Sequence, residues 1–363
     1  MRSISDTIAR LQRFRPADFG LAQPKGAGKL IPLESFGSNP GDLDCLIHVP
    51  AGLPREMPLV VVLHGCTQTA EGYDRGSGWS ALADRFGFAV LFAQQRRTNN
   101  PNLCFNWFVP ADNHRIGGEA ESIRQMVIAM AQRHSSDLSR VFVTGLSAGG
   151  AMTSVMLATS PDLFAGGAII AGLAYRVADD VPEALDRMRG NGFDRPALSR
   201  LVRDASDHQG RWPAVSVWHG TADATVHKVN ADVIVDQWRE MHGVDQPDEI
   251  SLVSGQRRRA WRDGSGRVVL EHYAIEGLGH GTPITTLGDE ASGVTGPYML
   301  EAGISSTYRI AASWGIVPVV APSRPTEQAS AGHAPGASPE SFAGSDAAQV
   351  IAQALRAAGL MKR

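Results

Sequence analysis

A serine hydroxyl attacks at neutral pH only when a base takes its proton and an acid orients that base, so the chemistry worth seeking is a serine in a strained turn with a histidine and a carboxylate. Ser147 meets the first requirement. It lies in VFVTGLSAGGAM, residues 141–152. Val141, Phe142 and Val143 have the composition of a short buried strand, and Ala151, Met152, Val155 and Met156 recur at helical spacing until Pro161. Gly145-Leu146-Ser147-Ala148-Gly149 therefore reads as the G-x-S-x-G turn between strand and helix, which thrusts the serine out above a sheet; the glycines leave room because they lack a Cβ. A glycine-rich turn that happens to hold a serine is the plainer alternative, and the strand-turn-helix context weighs against it.

Where such a turn is catalytic, the acid and then the base follow the serine along the chain. Seven histidines lie downstream of Ser147, and His280 is the best placed, after the last apolar run and between glycines in GLGHG. Asp223 follows the apolar run AVSVWHG, which puts its carboxylate at the carboxyl edge of a parallel sheet, where open α/β sheets build their sites. Aspartate also favours turns for its own reasons. His219 and His227 flank it and read as structural or peripheral. The developing oxyanion needs two backbone N–H groups, one from Ala148 and one from the loop His64-Gly65-Cys66, where Cys66 N–H is the choice.

These residues need a frame. CLIHVP (45–50), PLVVVLHG (58–65), FAVLFAQ (88–94), VFVTG (141–145), GGAIIAG (166–172) and AVSVWHG (214–220) are strand-like; WSALADRFG (79–87) and ESIRQMVIAMAQRH (121–134) are helical. The alternation predicts an α/β fold: a mostly parallel, doubly wound sheet with helices on both faces and right-handed crossovers. Residues 174–212 interrupt it as either a lid or a peripheral decoration. A helix over VHKVNADVIVDQWREMHG, two strand-like runs around the 263–266 turn and a helix near 303–314 follow. The expected division is an N-terminal extension (1–39), a catalytic domain (40–320), an Ala/Pro/Ser/Gly-rich linker (321–345) and a terminal helix (346–363) with Asp346 as candidate N-cap.

Composition narrows the alternatives. The 363 residues are 43% apolar and 20% charged, ordinary globular material with enough chain for a sizeable core. A net charge of −3 gives no reason to expect nucleic acid or an anionic membrane as partner. Arg257, Arg258, Arg259 and Arg262 form the one basic cluster, read as the solvated face of a hairpin in preference to a phosphate site. No apolar stretch approaches the ~20 residues of a membrane span, and the start MRSISDTIARLQRF lacks the apolar core of a secretory signal, so the expected location is cytoplasmic. Cys45, Cys66 and Cys104 make no disulfide scaffold, no Cys-x-x-Cys or His-Glu-x-x-His is present, and neither metal nor cofactor is expected.

PLVVVLHGCTQT, LCFNWF (103–108), GLSAGGAM, HGTADATV and GLGHGTP, in this order, resemble the esterase family of poly(3-hydroxybutyrate) depolymerases, relatives of feruloyl and acetylxylan esterases, over roughly residues 40–315. The resemblance implies an α/β-hydrolase fold, the triad Ser147, Asp223 and His280, and an oxyanion hole of Cys66 N–H and Ala148 N–H. It also places Cys66 near Cys104, so a disulfide between them is expected where the compartment is oxidising. Trp107 and Gln68 are the candidate substrate contacts. Two departures bear on the substrate: Phe105 stands for an expected Trp, and Gly281-Thr282-Pro283 for a Trp-Pro pair after the histidine. The expected activity is hydrolysis of short-chain or hydroxybutyrate esters, soluble oligomers in preference to crystalline polymer. The rivals are a feruloyl or acetylxylan esterase and, in another class, a non-catalytic binding module on the same fold.

Overall fold

The apolar runs are too short for helices and too regularly spaced for loops, and they pair into one ten-stranded sheet. A computed structural model describes residues 30–193 and 198–319. In chain order its elements are β1 (Ile31–Pro32), β2 (Asp44–His48), β3 (Met57–Leu63), α1 (Ala70–Ser77), α2 (Trp79–Phe86), β4 (Ala89–Gln94), α3 (Gly118–His134), β5 (Ser136–Leu146), α4 (Ala148–Thr159) and β6 (Gly166–Ile170). Then come α5 (Val181–Met188), α6 (Leu198–Arg203), β7 (Ala214–Gly220), α7 (Val229–His242), β8 (Glu249–Val253), β9 (Gln256–Arg262), β10 (Val268–Ile275), β11 (Thr282–Ile284), β12 (Met299–Glu301) and α8 (Ser306–Ser313).

Strand order is β1-β2-β4-β3-β5-β6-β7-β10-β9-β8. The central strands, β4 through β10, are parallel; β1 and β2 at one edge and β9 and β8 at the other run antiparallel to their neighbours. Both faces of the parallel core are covered, as βαβ crossovers require. β3 shows the consequence: all seven of its residues are buried. Leu59, Val61 and Leu63 face the cluster built with Ile123, Met126, Met152 and Met156, while Val60 and Val62 face Trp79, Leu82 and Tyr308. A central strand of this kind has no solvent face, which is why it reads as an apolar run without alternation. Leu59→Ala would cost on the order of 2–5 kcal/mol.

The folded body begins earlier than the expected residue 40. β1 pairs with β2, and Leu30 and Leu33 are buried, so residues 30–39 belong to the domain; two strand residues were too few to leave a periodic signal. Residues 174–212 carry α5 and α6 and are fastened to the body: Gln237 on α7 brackets Tyr175, accepting from its N–H at 2.9 Å and donating to its carbonyl at 3.0 Å. Val177, Val181, Leu185 and Val202 sink into the main core. The linker and terminal helix expected over 321–363 lie outside the described residues.

Candidate active site

β5 delivers Ser147. Its buried end, Val141 to Leu146, runs directly into α4, a helix buried along all twelve residues. The turn is sharp enough to force Ser147 to φ 57°, ψ −117°, a conformation that disfavours a side chain. Crossing angles this tight demand glycine on either side. A Cβ at Gly145 would stand 2.4 Å from the Gly149 carbonyl oxygen, and one at Gly149 would stand 2.3 Å from the Leu63 carbonyl oxygen. Serine at a helix N-cap ordinarily bonds the first-turn N–H groups, but Ser147 makes no such bond. Its Oγ meets His280 Nε2 at 2.9 Å instead.

The other two members arrive on loops at the same sheet edge, Asp223 after β7 and His280 after β10. His280 Nδ1–H donates to Asp223 Oδ2 at 2.7 Å, which leaves Nε2 bare to accept the Ser147 proton. The Asp223 carboxylate is itself locked: Oδ1 accepts from Thr225 N–H at 2.8 Å and Val226 N–H at 2.9 Å, while His219 Nε2 stands 3.5 Å from Oδ2. Burial would push this carboxyl up, but the hydrogen bonds of His219 and His280 outweigh it and hold it well below the usual carboxylate range. It is ionised at any pH at which the histidine can act as base. His219, read from sequence as structural or peripheral, is a structural neighbour of the acid, and the i, i+4 spacing to Asp223 was the signal available.

Cys66 sits on the loop after β3, opposite the elbow, joined by a disulfide to Cys104 with Cα atoms 4.2 Å apart. With its sulfur bonded, Cys66 has no thiol to offer as a nucleophile. Ala148 N–H begins α4, where the first-turn amides have no intrahelical acceptor and the helix dipole favours negative charge. Gln68, half-buried, braces this loop: its Oε1 accepts from Gly65 N–H at 2.8 Å. Trp107 is 5% exposed and packs edge-on against Phe108 at 5.3 Å, a core residue. Both candidate substrate contacts thus have a packing or bracing role, Trp107 in the core and Gln68 on the loop after β3.

Two supports were invisible in sequence. Glu119 is fully buried and collects Gln95 Nε2 at 2.6 Å, Asn106 Nδ2 at 2.7 Å and Asn106 N–H at 2.8 Å, pinning the segment that carries Cys104. Burial and the nearby Asp112 push its carboxyl up to about 8, against the pull of these donors. Tyr298, at φ 62° before β12, stands edge-on to His280 with ring centroids 6.1 Å apart. It supplies the aromatic neighbour missing after His280, while Thr282 turns inward, its N–H on the Tyr298 carbonyl at 2.8 Å and its Oγ1 3.2 Å from Tyr73 Oη. Phe105, in place of the expected Trp, is fully buried against His64, centroids 5.0 Å apart.

Serine, histidine and aspartate bonded in series at the carboxyl edge of a mostly parallel sheet define a serine hydrolase of the α/β-hydrolase fold, and the comparisons with known proteins narrow the class. Residues 43–259 match the family model described as esterase PHB depolymerase, and the chain belongs to that family. It is 45% identical over 292 residues, covering 79% of this chain and 70% of the relative, to poly(3-hydroxyalkanoate) depolymerase C of Paucimonas lemoignei. It is 31% identical over 274 residues, 73% of this chain and 87% of the relative, to acetylxylan esterase A of Aspergillus oryzae. Among solved structures, an acetyl xylan esterase from Aspergillus awamori superposes with a TM-score of 0.63 at 26% identity, over 70% of this chain and 94% of that one. The protein is a carboxylic-ester hydrolase.

Proposed function

We propose that the protein hydrolyses short-chain esters and 3-hydroxybutyrate oligomers through an acyl-enzyme on Ser147. The bonded series Ser147–His280–Asp223 carries the mechanism. His280 Nε2 takes the Ser147 proton as Oγ adds to the ester carbonyl, and the oxyanion settles on Cys66 N–H and Ala148 N–H. His280 then returns the proton to the leaving alkoxide, and water, activated by the same nitrogen, releases the acid. Asp223 holds the imidazole in the tautomer this requires and stabilises the imidazolium.

The similarity to the depolymerase, 45% against 31% for the acetylxylan esterase, supports a hydroxyalkanoate as acyl group. Soluble substrate is favoured by the surface. The large exposed hydrophobics among the described residues are Ile31, Ile116, Leu138, Ile250, Leu252, Leu287 and Val319, all aliphatic; Ile250 and Leu252 share one face of the edge strand β8 and the others lie on different segments, where adsorption to a solid polyester calls for a broad apolar or aromatic face. The acetyl xylan esterase likeness, at TM-score 0.63, favours deacetylation as the second reading. No helix among the described residues is long and apolar enough to cross a membrane. The Cys66–Cys104 bridge supports an oxidising compartment over the cytoplasmic placement expected from sequence.

The test measures release of 3-hydroxybutyrate from its trimer and from crystalline film at equal enzyme concentration, with acetate release from acetylated xylan as a third arm. Faster release from film, tight film binding by Ser147→Ala, or preference for xylan acetate would each overturn the substrate reading. Ser147→Ala should lose a factor on the order of 10⁶ in kcat on every substrate.

A further inference from the structure

The hairpin's own ion pairs do not absorb all of the basic run. Arg258 faces Glu271 and Glu249, at 2.9 and 3.0 Å. Arg257 and Arg259, on the other face of β9, keep different company. Arg257 is the register partner of Ala274, which is in turn the partner of His219 on β7; Arg259 is the partner of His272. The small Ala274 leaves space between Arg257 and His219, and the start of α7 borders it with Lys228 and Asp232. The result is a cavity of about 470 Å³.

Its walls are unbalanced. Lys228, Arg257 and Arg259 face a single carboxylate, Asp232, which already accepts from Arg259 at 2.7 Å. Two histidines buried in the wall, His219 and His272 at 3% and 7% exposure, each have one nitrogen without a partner. The tautomers follow from the occupied nitrogens. A guanidinium only donates, so Arg259 at 2.7 Å makes His272 Nδ1 the acceptor and leaves Nε2–H as an unmet donor. Burial and the Arg259 charge pull the His272 pKa down to about 3, which keeps the ring neutral. A carbonyl only accepts, so Val226 O at 2.8 Å makes His219 Nε2 the donor, and in the neutral ring Nδ1 is then an unmet acceptor. Buried polar atoms in native proteins are rarely left in this state.

We propose that this cavity binds a small oxyanion that carries a hydroxyl, either a hydroxy-carboxylate or hydrogen phosphate. Arg257, Arg259 and Lys228 meet its charge, His272 Nε2–H donates to one oxygen, and its hydroxyl donates to His219 Nδ1. A metal ion is a poorer fit: no group of three or more His, Cys, Asp or Glu among the described residues is arranged to hold one. The site is distinct from the ester cleft, since His219 turns its other nitrogen toward Asp223, at 3.5 Å. One side chain separates the bound ion from the catalytic carboxylate.

The experiment is calorimetric titration of the Ser147→Ala protein at pH 7 with inorganic phosphate, 3-hydroxybutyrate and butyrate. Phosphate and 3-hydroxybutyrate should each bind one saturable site with a Kd of about 1 mM, and butyrate, lacking the hydroxyl, about fivefold more weakly. The pair Lys228→Gln and Arg257→Gln, exposed residues outside the triad, should weaken binding at least about tenfold while the same changes in the active chain leave ester hydrolysis intact. Binding should also survive phosphonylation of Ser147 in the active chain. No saturable heat by about 50 mM, heat unchanged in the double variant, or loss of binding on phosphonylation would overturn the proposal. Phosphate binding without 3-hydroxybutyrate would identify the source as phosphate. None of these outcomes touches the ester-hydrolysis assignment, which rests on Ser147.

Discussion

Replacing Asp223 by Asn tests whether the triad works through tautomer control, because the structure dictates how the amide must sit. Oδ1 of Asp223 accepts from two backbone N–H groups, those of Thr225 and Val226. An amide nitrogen placed there would face both donors, so the asparagine oxygen must take that position and its NH₂ must point at His280 Nδ1, now 2.7 Å from a carboxylate oxygen. Two N–H groups cannot share that distance. The imidazole therefore moves its proton to Nε2, and the nitrogen 2.9 Å from Ser147 Oγ can no longer accept. The expected loss is on the order of 10⁴ in kcat, about 5.5 kcal/mol at roughly 1.4 kcal/mol per decade, with KM little changed. The assay is steady-state hydrolysis of p-nitrophenyl butyrate, with circular dichroism and thermal unfolding to confirm the fold. A folded Asp223→Asn protein that retains more than about 1% of kcat would refute the reasoning.

Cys66→Ala with Cys104→Ala removes a link spanning 38 residues, and chain entropy sets the expected destabilisation at about 4 kcal/mol, read by urea unfolding against the oxidised parent; kcat should fall more than KM rises if Cys66 N–H serves the oxyanion as proposed. Tyr298→Ala should reduce kcat/KM by up to about tenfold, whereas Tyr298→Phe, which keeps the edge-on ring at 6.1 Å from His280, should not; equal loss in both would remove the ring from the explanation. Stability should fall on acidification in the window between the ordinary histidine pKa and 4. Burial pulls His64 down to about 4, so between these values the unfolded chain binds a proton that the folded one does not, and stability rises with pH. The His64 contribution is on the order of 2 kcal/mol lost at pH 5, and urea midpoints of His64→Asn should show a flatter pH dependence than the parent.

What the sequence determined by itself was local. A strand, a tight turn that needs glycine at 145 and 149, and a helix are consecutive in the chain, so Ser147 and its elbow were legible from residues 141–156. The order of acid and base, together with apolar runs ending at Asp223 and before His280, was enough to name the triad. Central strands such as β3 announced themselves because burial on both faces leaves no polar position. Contacts between distant segments were decided by tertiary structure. Glu119 holds Asn106 across thirteen positions, and Tyr298 meets His280 from a loop with no periodic signal. The packing of Trp107 on Phe108 and the bond of Gln68 to the Gly65 N–H were likewise tertiary facts. The basic run shows the division most sharply. Its charge was plain in the sequence, but only strand register, which alternates side chains between faces, could give Arg258 to Glu271 and bring Arg257 and Arg259 to the cavity beside His219 and His272.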